Sequence, residues 1–576
     1  MSTTSLRRLP LAFFGLTLVT GGAGCGVLLG LDDFTEGQGT GSGGGTAASS
    51  SGTGGGGGAS SSTGGAGGTG GMPMPCTPKE TKACYSGAAG TQDKGICKGG
   101  KQTCKDDGSS FGACVGEVVP ALENCAAPDD EDCNGTAAQC TGTPQWGKRF
   151  GNATGDQGMS GVALDSKGNT ILSGGLKGAV NFGKDNVTGT AYMAKLDPSG
   201  SHVFSKALPS AGLMAVDSSD NVVLVGNFSG SLDFGSGALD APEANNIFLA
   251  KFAPAGSLLL SKTVGHGSFV LYDVATGPDG SVFLAGLIKG TVDLGGGPLG
   301  TVNTYSAFVA KYDKNGDHSY SRRFGVVGSI GGAQAQAIAV DGAGNAVIAA
   351  GMYGSLVDFG GVKLNPSAGT FAVVKIDPAG NVLYAKQFVG VNAGLVDASM
   401  TVVTLGNYDI AVDPKGDVFL AGDFTGNVNF GTPALTGKGG KDIFVAKLDP
   451  MGGHLWSKSF GNTGDQIATH VAVDMFGNPA VTGVFPDYLD LGNGIFLNSG
   501  TSKEHVFGLK LDTDGSYLWA LGSSGSALSK VSSTSVAVSA LGEVVFSGTT
   551  KDMFSFGMVP AQSGGFFDTY VAKLAP

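Results

Sequence analysis

The chain has few charged residues, and their balance is acidic. Charged side chains make up 14% of its 576 residues, well below the share in an ordinary soluble domain. The formal net charge is −12, whereas nucleic-acid binding needs a basic surface. The composition therefore argues against nucleic acid as a partner.

Cysteine is absent after residue 140, although the chain has nine. Cys25 stands alone, and the other eight lie close together. An even, dense set in an exported chain predicts four disulfides. A zinc cluster is the alternative, but the segment has no Cys-x2-Cys pair and no histidine. The sequence selects no pairing among these cysteines: Cys76, Cys84, Cys97, Cys104, Cys114, Cys125, Cys133 and Cys140.

Catalytic motifs are also missing. The chain has no His-Glu-x-x-His and no Gly-x-Ser-x-Gly at a strand-to-helix turn. His202, His318 and His454 recur just after a turn, which predicts solvent-facing positions. The two carboxylates of a glycoside hydrolase need only spatial proximity. The acids to inspect for such a pair depart from the neighbouring repeats: Asp423, Asp442, Asp465, Asp487 and Glu504.

The N-terminus predicts export. Arg7 and Arg8 precede an apolar stretch, residues 9–20, that is too short to span a bilayer. Gly21-Gly22-Ala23-Gly24-Cys25 follows, and residues 1–25 resemble a bacterial lipoprotein signal. The resemblance implies a membrane anchor through lipid on Cys25. Because Gly26 follows in place of aspartate, it also implies the outer membrane or cell surface. An ordinary secretory signal is the alternative.

Two segments precede the main domain. Residues 26–75 are rich in glycine and serine, which predicts a flexible tether. In residues 76–140, runs such as Cys84-Tyr85-Ser86-Gly87 and Gly95-Ile96-Cys97 resemble a cysteine-rich module of exported myxobacterial proteins. Its second half is similar to a short acidic repeat described as metal-binding. Asp130, Asp132 and Asn134 would supply oxygen ligands for Ca²⁺, and a solvated acidic turn is the alternative.

A repeated phrase predicts the fold of residues 144–576. Phe-Val-Ala-Lys-Leu-Asp-Pro, or a close copy, recurs at intervals of about 63 residues, which suits a four-stranded unit. The strands are short, β-branched and aromatic, with Gly, Pro, Asn and Asp turns between them. The lysines of the seven copies are Lys195, Lys251, Lys311, Lys375, Lys447, Lys510 and Lys573.

These features predict an all-β, seven-bladed β-propeller. Trp146-Gly147-Lys148-Arg149-Phe150-Gly151 matches the Leu455 to Gly461 strand of a repeat but has no repeat before it, and the last repeat lacks this strand. The N-terminal strand should therefore close the last blade, which removes exposed sheet edges. The pattern resembles the seven-bladed propeller repeat (SBBP-type) family of bacterial surface proteins.

The repeated lysines sit in the fourth phrase of the repeat, and the aspartate of Val-Ala-Val-Asp ends the second. We expect the two to pair, because a residue needed in every blade serves the blade and not a single active site. A ring of seven lysines that attracts anions is the alternative.

The sequence favours a non-enzymatic surface lipoprotein that binds a protein or polysaccharide partner. A carbohydrate-active hydrolase or lyase at the channel mouth and a structural envelope component are the alternatives. The fold alone does not choose among them.

Overall fold

The computed structural model describes residues 76–152, 155–300, 302–328, 331–366, 370–390, 408–498, 504–524, 531–551, 555–559 and 566–576. Their regular secondary structure is entirely β. Within them, no helix is long and apolar enough to cross a membrane. The predicted signal, Cys25 and the tether lie outside the described residues.

The chain divides into two compact units. The smaller contains residues 76–123 and Asp129–Ala137, and the larger contains Asn124–Pro128 and Ala138–Pro576. In the smaller unit β1 (Thr81–Cys84) pairs with β2 (Gly100–Thr103). The larger unit begins its sheets with β3 (Pro144–Phe150).

Seven four-stranded antiparallel units, the blades, follow along the larger unit; four of them are separate sheets, and blades 2 to 4 are joined into one continuous sheet. Blade 1 contains β4 (Gly161–Leu164), β5 (Thr170–Gly175), the hairpin β6 (Ala179–Asn181) and β7 (Asn186–Thr188), β8 (Ala191–Leu196) and β9 (His202–Leu208). Blade 2 contains β10 (Leu213–Val216), β11 (Val222–Phe228), β12 (Asn246–Phe252) and the first half of β13 (Leu258–Thr276). Blade 3 contains the second half of β13, β14 (Val282–Asp293), β15 (Val302–Tyr312) and β16 (His318–Val326).

The remaining blades repeat this plan. Blade 4 contains β17 (Gly331–Val340), β18 (Ala346–Gly354), the hairpin β19 (Val357–Phe359) and β20 (Val362–Leu364), β21 (Thr370–Ile376) and β22 (Val382–Val389). Blade 5 contains β23 (Tyr408–Val412), β24 (Val418–Phe424), β25 (Asn427–Val428), β26 (Leu435–Thr436), β27 (Asp442–Leu448) and β28 (His454–Phe460). Blade 6 contains β29 (Ile467–Val473), β30 (Pro479–Phe485), β31 (Tyr488–Asp490), β32 (Phe496–Asn498), β33 (His505–Leu511) and β34 (Tyr517–Gly522). Blade 7 contains β35 (Val531–Val538), β36 (Val544–Thr550) and β37 (Asp568–Leu574).

The blades form a closed ring. The first strands of successive blades lie side by side, and β35 of blade 7 lies beside β4 of blade 1. The fourth strand of blade 7 is β3, which pairs antiparallel with β37. The predicted seven-bladed propeller, closed by its N-terminal strand, is confirmed.

The hydrophobic core is divided into seven clusters, each between two neighbouring blades. In the cluster between blades 7 and 1, Trp146 packs with Val162 and Val545. The first three strands of a blade are buried on both faces because each blade is covered by two others, which explains why their sequences are continuously apolar. Burial of these faces is the main stabilising term.

The order of the strands within a repeat differs from the sequence interpretation. Each blade begins with the Val-Ala-Val-Asp strand, so the repeated lysines lie in the third strand and the aspartates follow the first. The phrase that begins at His454 is the fourth, outer strand. The repeat shows which strand follows which along the chain. It does not show which of these strands is the first strand of a blade.

Antiparallel pairing gives the propeller two distinct faces. Short turns join strand one to two and strand three to four on the face that we name the turn face. On the opposite face, the loop face, longer segments join strand two to three and each blade to the next. The turn after Asp165 is typical of the turn face: Asp165 Oδ1 accepts bonds from the backbone N–H of Lys167 and Asn169, at 3.0 and 2.9 Å. Gly168 follows with φ +74°, a conformation that favours glycine.

Candidate functional site

Each repeated lysine forms an ion pair with a carboxylate of its own blade on the turn face. The Nζ–O distances lie between 2.6 and 3.8 Å. The acid follows the first strand directly in four blades, and it lies further along the turn in blades 3, 5 and 7. The pairs are Lys195–Asp165, Lys251–Asp217, Lys311–Asp279, Lys375–Asp341, Lys447–Asp417, Lys510–Asp474 and Lys573–Glu543.

Most of these lysines also bond to the next blade. Lys195 Nζ donates to Pro254 O at 3.0 Å, and Lys510 Nζ donates to Gly542 O at 2.6 Å. Equivalent bonds to the following blade start from Lys251, Lys375 and Lys447. The lysines therefore fasten neighbouring blades together, as paired residues should, and do not present a ring of free cations to an anion.

The three recurring histidines are not solvent-facing, which corrects the sequence interpretation. Their rings are half-buried, and each Nε2 lies 2.8–3.1 Å from the hydroxyl of the serine three residues on. A Cβ on Gly296 or Gly431 would collide with the ring of His318 or His454. Burial lowers the pKa of both of these imidazoles. The side chains act as spacers between the outer strand and the loop beside it.

Three of the acids singled out from the sequence make local contacts in blade 5. Asp423 is fully buried and lies 3.2 Å from Lys441 Nζ. The Asp442 and Asp465 carboxylates accept bonds from backbone N–H groups, those of Lys438 and Lys441, at 2.6 and 2.9 Å. These three acids hold one loop of blade 5 in place. The other two, Asp487 and Glu504, are exposed.

Two of the buried aspartates each join two blades. Asp273 accepts the backbone N–H of Val274 and of Ile338 in the next blade, both at 2.8 Å. Asp409 does the same two blades later, with Ile410 at 2.8 Å and Val471 at 2.9 Å. Both oxygens of each carboxylate thus bond to the edges of inner strands. These bonds compensate for burial of the charge.

Asp409 also interacts with His470. Burial raises the pKa of the Asp409 carboxyl, while the nearby His470 imidazole and the two backbone N–H groups lower it. Asp409 and His470 are both buried. This pair is the arrangement among the described residues that comes nearest to an acid–base dyad.

A cluster of tyrosines lies at the loop-face ends of blades 3, 4 and 5. It consists of Tyr272 on β13, Tyr305 on β15, Tyr353 on β18 and Tyr408 on β23, and we name it the tyrosine cluster. Tyr272 Oη donates to Gln334 Oε1 at 3.4 Å. Tyr305 raises the pKa of Tyr272 and of Tyr353, in both cases after the larger effect of burial, and Tyr272 contributes in the same way to Tyr408.

Longer strands build this region. The first strand has 10 residues in blade 4 (β17) and 5 in blade 5 (β23), and the second has 12 in blade 3 (β14) and 7 in blade 5 (β24). The additional residues extend toward the loop face, where Tyr305 pairs in parallel with Gly332. The sequence analysis missed the cluster. One signal in the sequence could have indicated it. In blades 3 and 5 a Tyr-Asp dipeptide stands directly before the apolar residues of the first strand: Tyr272-Asp273 and Tyr408-Asp409.

A cleft lies at the outer edge of blades 2 and 3. This cleft has a volume of about 420 Å³, and Asp240, Lys262 and His266 contribute to its lining. Lys262 pairs with Asp317 at 2.6 Å, and Asp293 caps its own turn through Gly295 N. Lys262 and Asp293 thus serve local structure.

All eight cysteines after Cys25 form disulfides. The pairs are Cys76–Cys104, Cys84–Cys114, Cys97–Cys133 and Cys125–Cys140. No thiol of this set remains to bind zinc.

The carboxylates of Glu123, Asp130 and Asp132 have oxygens within 4.8 Å of one another. The sequence proposed Asn134 in place of Glu123, but the Asn134 amide donates to Asp132 and accepts the N–H of Thr136. The Asp130 carboxylate accepts the N–H groups of Asn134 and Gly135 at 3.1 and 2.8 Å. These bonds account for the turn, and a Ca²⁺ site at these residues stays a prediction.

Comparisons with known proteins give low similarities. No protein-family model matches the chain, and no curated protein matches it. A solved structure of inactive virginiamycin B lyase from Staphylococcus aureus is 8% identical, with a TM-score of 0.37, over 75% of this chain and 99% of the lyase. Puromycin hydrolase is 13% identical, with a TM-score of 0.33, over 81% of this chain and 58% of the hydrolase. A gluconolactonase from Xanthomonas campestris is 13% identical, with a TM-score of 0.28, over 58% and 86%. The fold assignment rests on the strand pairing and not on these likenesses.

Proposed function

We propose that this chain is an exported, lipid-anchored and non-enzymatic binding protein of the outer membrane or cell surface. In this proposal it is a propeller-repeat surface lipoprotein, with a cysteine-rich module between the membrane tether and the propeller. The propeller holds a protein or polysaccharide partner at its loop face, at the tyrosine cluster.

The proposal rests on where the side chains that do not recur in the repeat lie. Every repeated lysine is engaged in an ion pair on the turn face, whereas side chains found once converge at the loop-face ends of blades 3 to 5. A binding site should differ from the repeat that supports it, because only one place on the ring has to recognise the partner. Half-buried tyrosines supply contact area at a low entropic cost.

Two carboxylates of the same region are poorly placed for acid–base catalysis. Both oxygens of Asp273 and of Asp409 accept backbone N–H groups. A general acid or base must have an oxygen within reach of the substrate proton. These aspartates are structural in this proposal.

The test uses the full chain, exported with Cys25→Ser so that no lipid is attached. Isolated envelope polysaccharides and envelope proteins are immobilised in separate arms. We expect retention in one arm, and we expect Tyr305→Ala with Tyr353→Ala to abolish it. Retention that the double variant leaves unchanged would contradict the proposed site. Incorporation of labelled fatty acid into the parent chain but not into Cys25→Ser would support the anchor.

A carbohydrate-active hydrolase or lyase is the second candidate, favoured by the Asp409–His470 pair. Release of reducing or unsaturated ends from an envelope polysaccharide would establish it. That activity should then disappear in Asp409→Asn and in His470→Ala. Activity that persists in both variants would place any catalytic site elsewhere.

A further inference from the structure

The turn after the first strand has the same polar pattern in four blades. An aspartate begins the turn, and its carboxylate accepts the side-chain amide of the asparagine four positions on. The repeated lysine of the blade pairs with the same aspartate. The aspartate–asparagine pairs are Asp165–Asn169, Asp217–Asn221, Asp341–Asn345 and Asp474–Asn478. In each of these turns the paired aspartate and lysine are neutral overall.

Blade 5 departs from this pattern because it has a second acid in the turn. Asp417 stands where those four blades have asparagine, and Lys447 Nζ pairs with it at 3.0 Å. The first acid, Asp413, accepts the backbone N–H of Lys415 and of Asp417 through Oδ1, both at 2.9 Å. Its Oδ2 atom is buried and has no hydrogen-bond partner among the described residues. Two carboxylates therefore share one lysine.

Blade 7 shows how an acid at the later position is neutralised elsewhere in the ring. There Lys573 Nζ pairs with Glu543 at 2.9 Å. The turn begins with Ser539, whose hydroxyl accepts the backbone N–H of Glu543 at 3.0 Å. One acid thus meets one lysine. Blade 5 has an acid at both positions, which leaves one negative charge without a counterpart.

This unmatched charge lies inside the protein. Asp413 is 1% exposed and Lys447 is 6% exposed. A Cβ on Gly477 of blade 6 would lie 3.0 Å from Asp413 Oδ2, so this oxygen lies against the next blade. Burial of an ionised carboxylate is unfavourable where a donor is missing. Burial raises the pKa of Asp413, and the charge of Asp417 raises it further, while Lys447 and the backbone N–H groups lower it.

Among the described residues, the cations on the neighbouring elements are exposed or already paired. Lys415, in the same turn, is exposed. Lys375 of blade 4 and Lys510 of blade 6 lie 2.9 and 3.3 Å from the aspartates of their own blades. At the opposite end of β23, Asp409 accepts two backbone N–H groups and interacts with His470. A proton can supply the positive charge that the turn lacks, and it needs no cavity.

We propose that Asp413 holds a proton in the folded ring, which makes the junction between blades 5 and 6 sensitive to pH. While Asp413 is neutral, Lys447 serves Asp417 and also donates to Thr513 Oγ1 of blade 6 at 2.9 Å. Once Asp413 loses its proton, two carboxylates compete for this lysine. The junction is therefore more stable in acid and less stable as the pH rises. This property is independent of the binding function proposed above.

The direction of the effect is set by proton binding. A carboxyl whose pKa is raised by folding binds more protons in the folded state than in the unfolded chain. Its contribution to stability is complete below about pH 3.9, the ordinary value for aspartate, and is lost as the pH rises through the raised pKa.

The experiment is thermal melting of the full chain, carrying Cys25→Ser, from about pH 4 to about pH 8. Asp417→Asn restores the asparagine of the four regular blades, and Asp413→Asn imitates the protonated carboxyl. Each should raise the melting temperature at about pH 8 by about 2 °C relative to the parent, a gain that shrinks toward about pH 4. No gain, or the same gain at every pH, would overturn the proposal.

Asn345→Asp is the matched control in blade 4. It places a second acid beside Asp341 and Lys375, which lie 2.9 Å apart, and thus recreates the charges of blade 5. The variant should melt at a lower temperature than the parent at about pH 8, and the two should converge at about pH 4. A variant that melts as the parent does at every pH would contradict this origin of the pH sensitivity.

A bound metal ion is the other source of positive charge that the experiment must separate from a proton. The parent and Asp417→Asn are melted at about pH 8 in sodium chloride and in calcium chloride of equal ionic strength. An equal response of the two proteins to calcium supports the proton. Greater stabilisation of the parent by calcium would show that a metal ion neutralises the turn, which overturns the proposal.

Discussion

The two faces of the propeller differ, although the same repeat builds both. On the turn face seven lysines meet seven carboxylates, and most of them reach the next blade. On the loop face the side chains vary from blade to blade, and four tyrosines of the described residues collect where the strands of blades 3 and 4 are longer. Repetition within this chain indicates structural need, whereas departures from it are the places to look for a ligand.

On the turn face, the largest difference in stability should be between variants of two of the ion pairs. Lys510 and Asp474 are both fully buried, while the Asp279 side chain beside Lys311 is 62% exposed and lies 3.8 Å away. Lys510→Met leaves a buried charge unpaired and should lower the free energy of unfolding by about 3–5 kcal/mol. Lys311→Met should cost less than about 1 kcal/mol. Denaturant titration measures both.

The double variant Lys510→Met with Asp474→Asn is the control for this pair. It removes both charges and should recover part of the lost stability. Equal losses for Lys510→Met and Lys311→Met would show that burial does not distinguish the pairs.

A change in the strand that closes the ring should have the next largest effect on stability. Trp146 in the closing strand donates to Pro198 O at 2.9 Å, and Trp456 in blade 5 donates to Thr513 O at the same distance. Trp146→Ala should cost about 3 kcal/mol, and Trp456→Ala should cost about the same or less because its ring is more exposed. A negligible cost for Trp146→Ala beside a large one for Trp456→Ala would contradict closure by β3.

Two adjacent glycines near the loop face should differ in the stability that their substitution costs. Gly331 has φ +126°, and a Cβ there would meet the backbone oxygen of Tyr353, so Gly331→Ala should cost about 2 kcal/mol. At Gly332 a Cβ meets only the mobile end of the Tyr353 side chain, and Gly332→Ala should cost less than about 1 kcal/mol. Melting temperatures of the two variants test the order, and the reverse order would refute this account of the two glycines.

The smallest expected effect is on the pH dependence of stability. Burial lowers the pKa of His318 and His454, so the folded state binds fewer protons than the unfolded chain, whose histidines titrate at about pH 6.5. Stability from this source is complete above that pH and falls as the pH drops below it. His318→Gln with His454→Gln should therefore flatten the fall in melting temperature between pH 7.5 and 5.5.

The parent protein at each pH is the reference for this variant, which cancels the contribution of the buried carboxyls. An equally steep fall in the double variant would show that the two imidazoles do not contribute. The expected difference is below about 1 kcal/mol, because both rings are only half-buried.

Much of the propeller could be predicted from the sequence because the repeat carries it. The position of Trp146 indicated the closing strand, and the spacing of the lysines indicated seven blades. The strand order within a blade could not be predicted, because a cyclic repeat has no marked beginning. The half-burial of His454 was missed since it depends on Gly431, which lies in another loop.

The tyrosine cluster was missed for a related reason. Tyr272, Tyr305, Tyr353 and Tyr408 come from three blades and from four different strands. Their proximity follows from the ring and from strands that extend beyond the repeat, and neither feature is visible as a local motif. The acids that looked singular in the sequence, such as Asp442, instead hold a loop in place.

The most direct test of the difference between the faces compares Tyr353→Ala with Lys311→Met. Retention of each variant by the envelope protein or polysaccharide that retains the parent protein is measured at a temperature where both are folded. The account predicts that the turn-face variant is retained as the parent is, while the loop-face variant loses most of the retention. Loss of retention in Lys311→Met, with Tyr353→Ala unaffected, would contradict it.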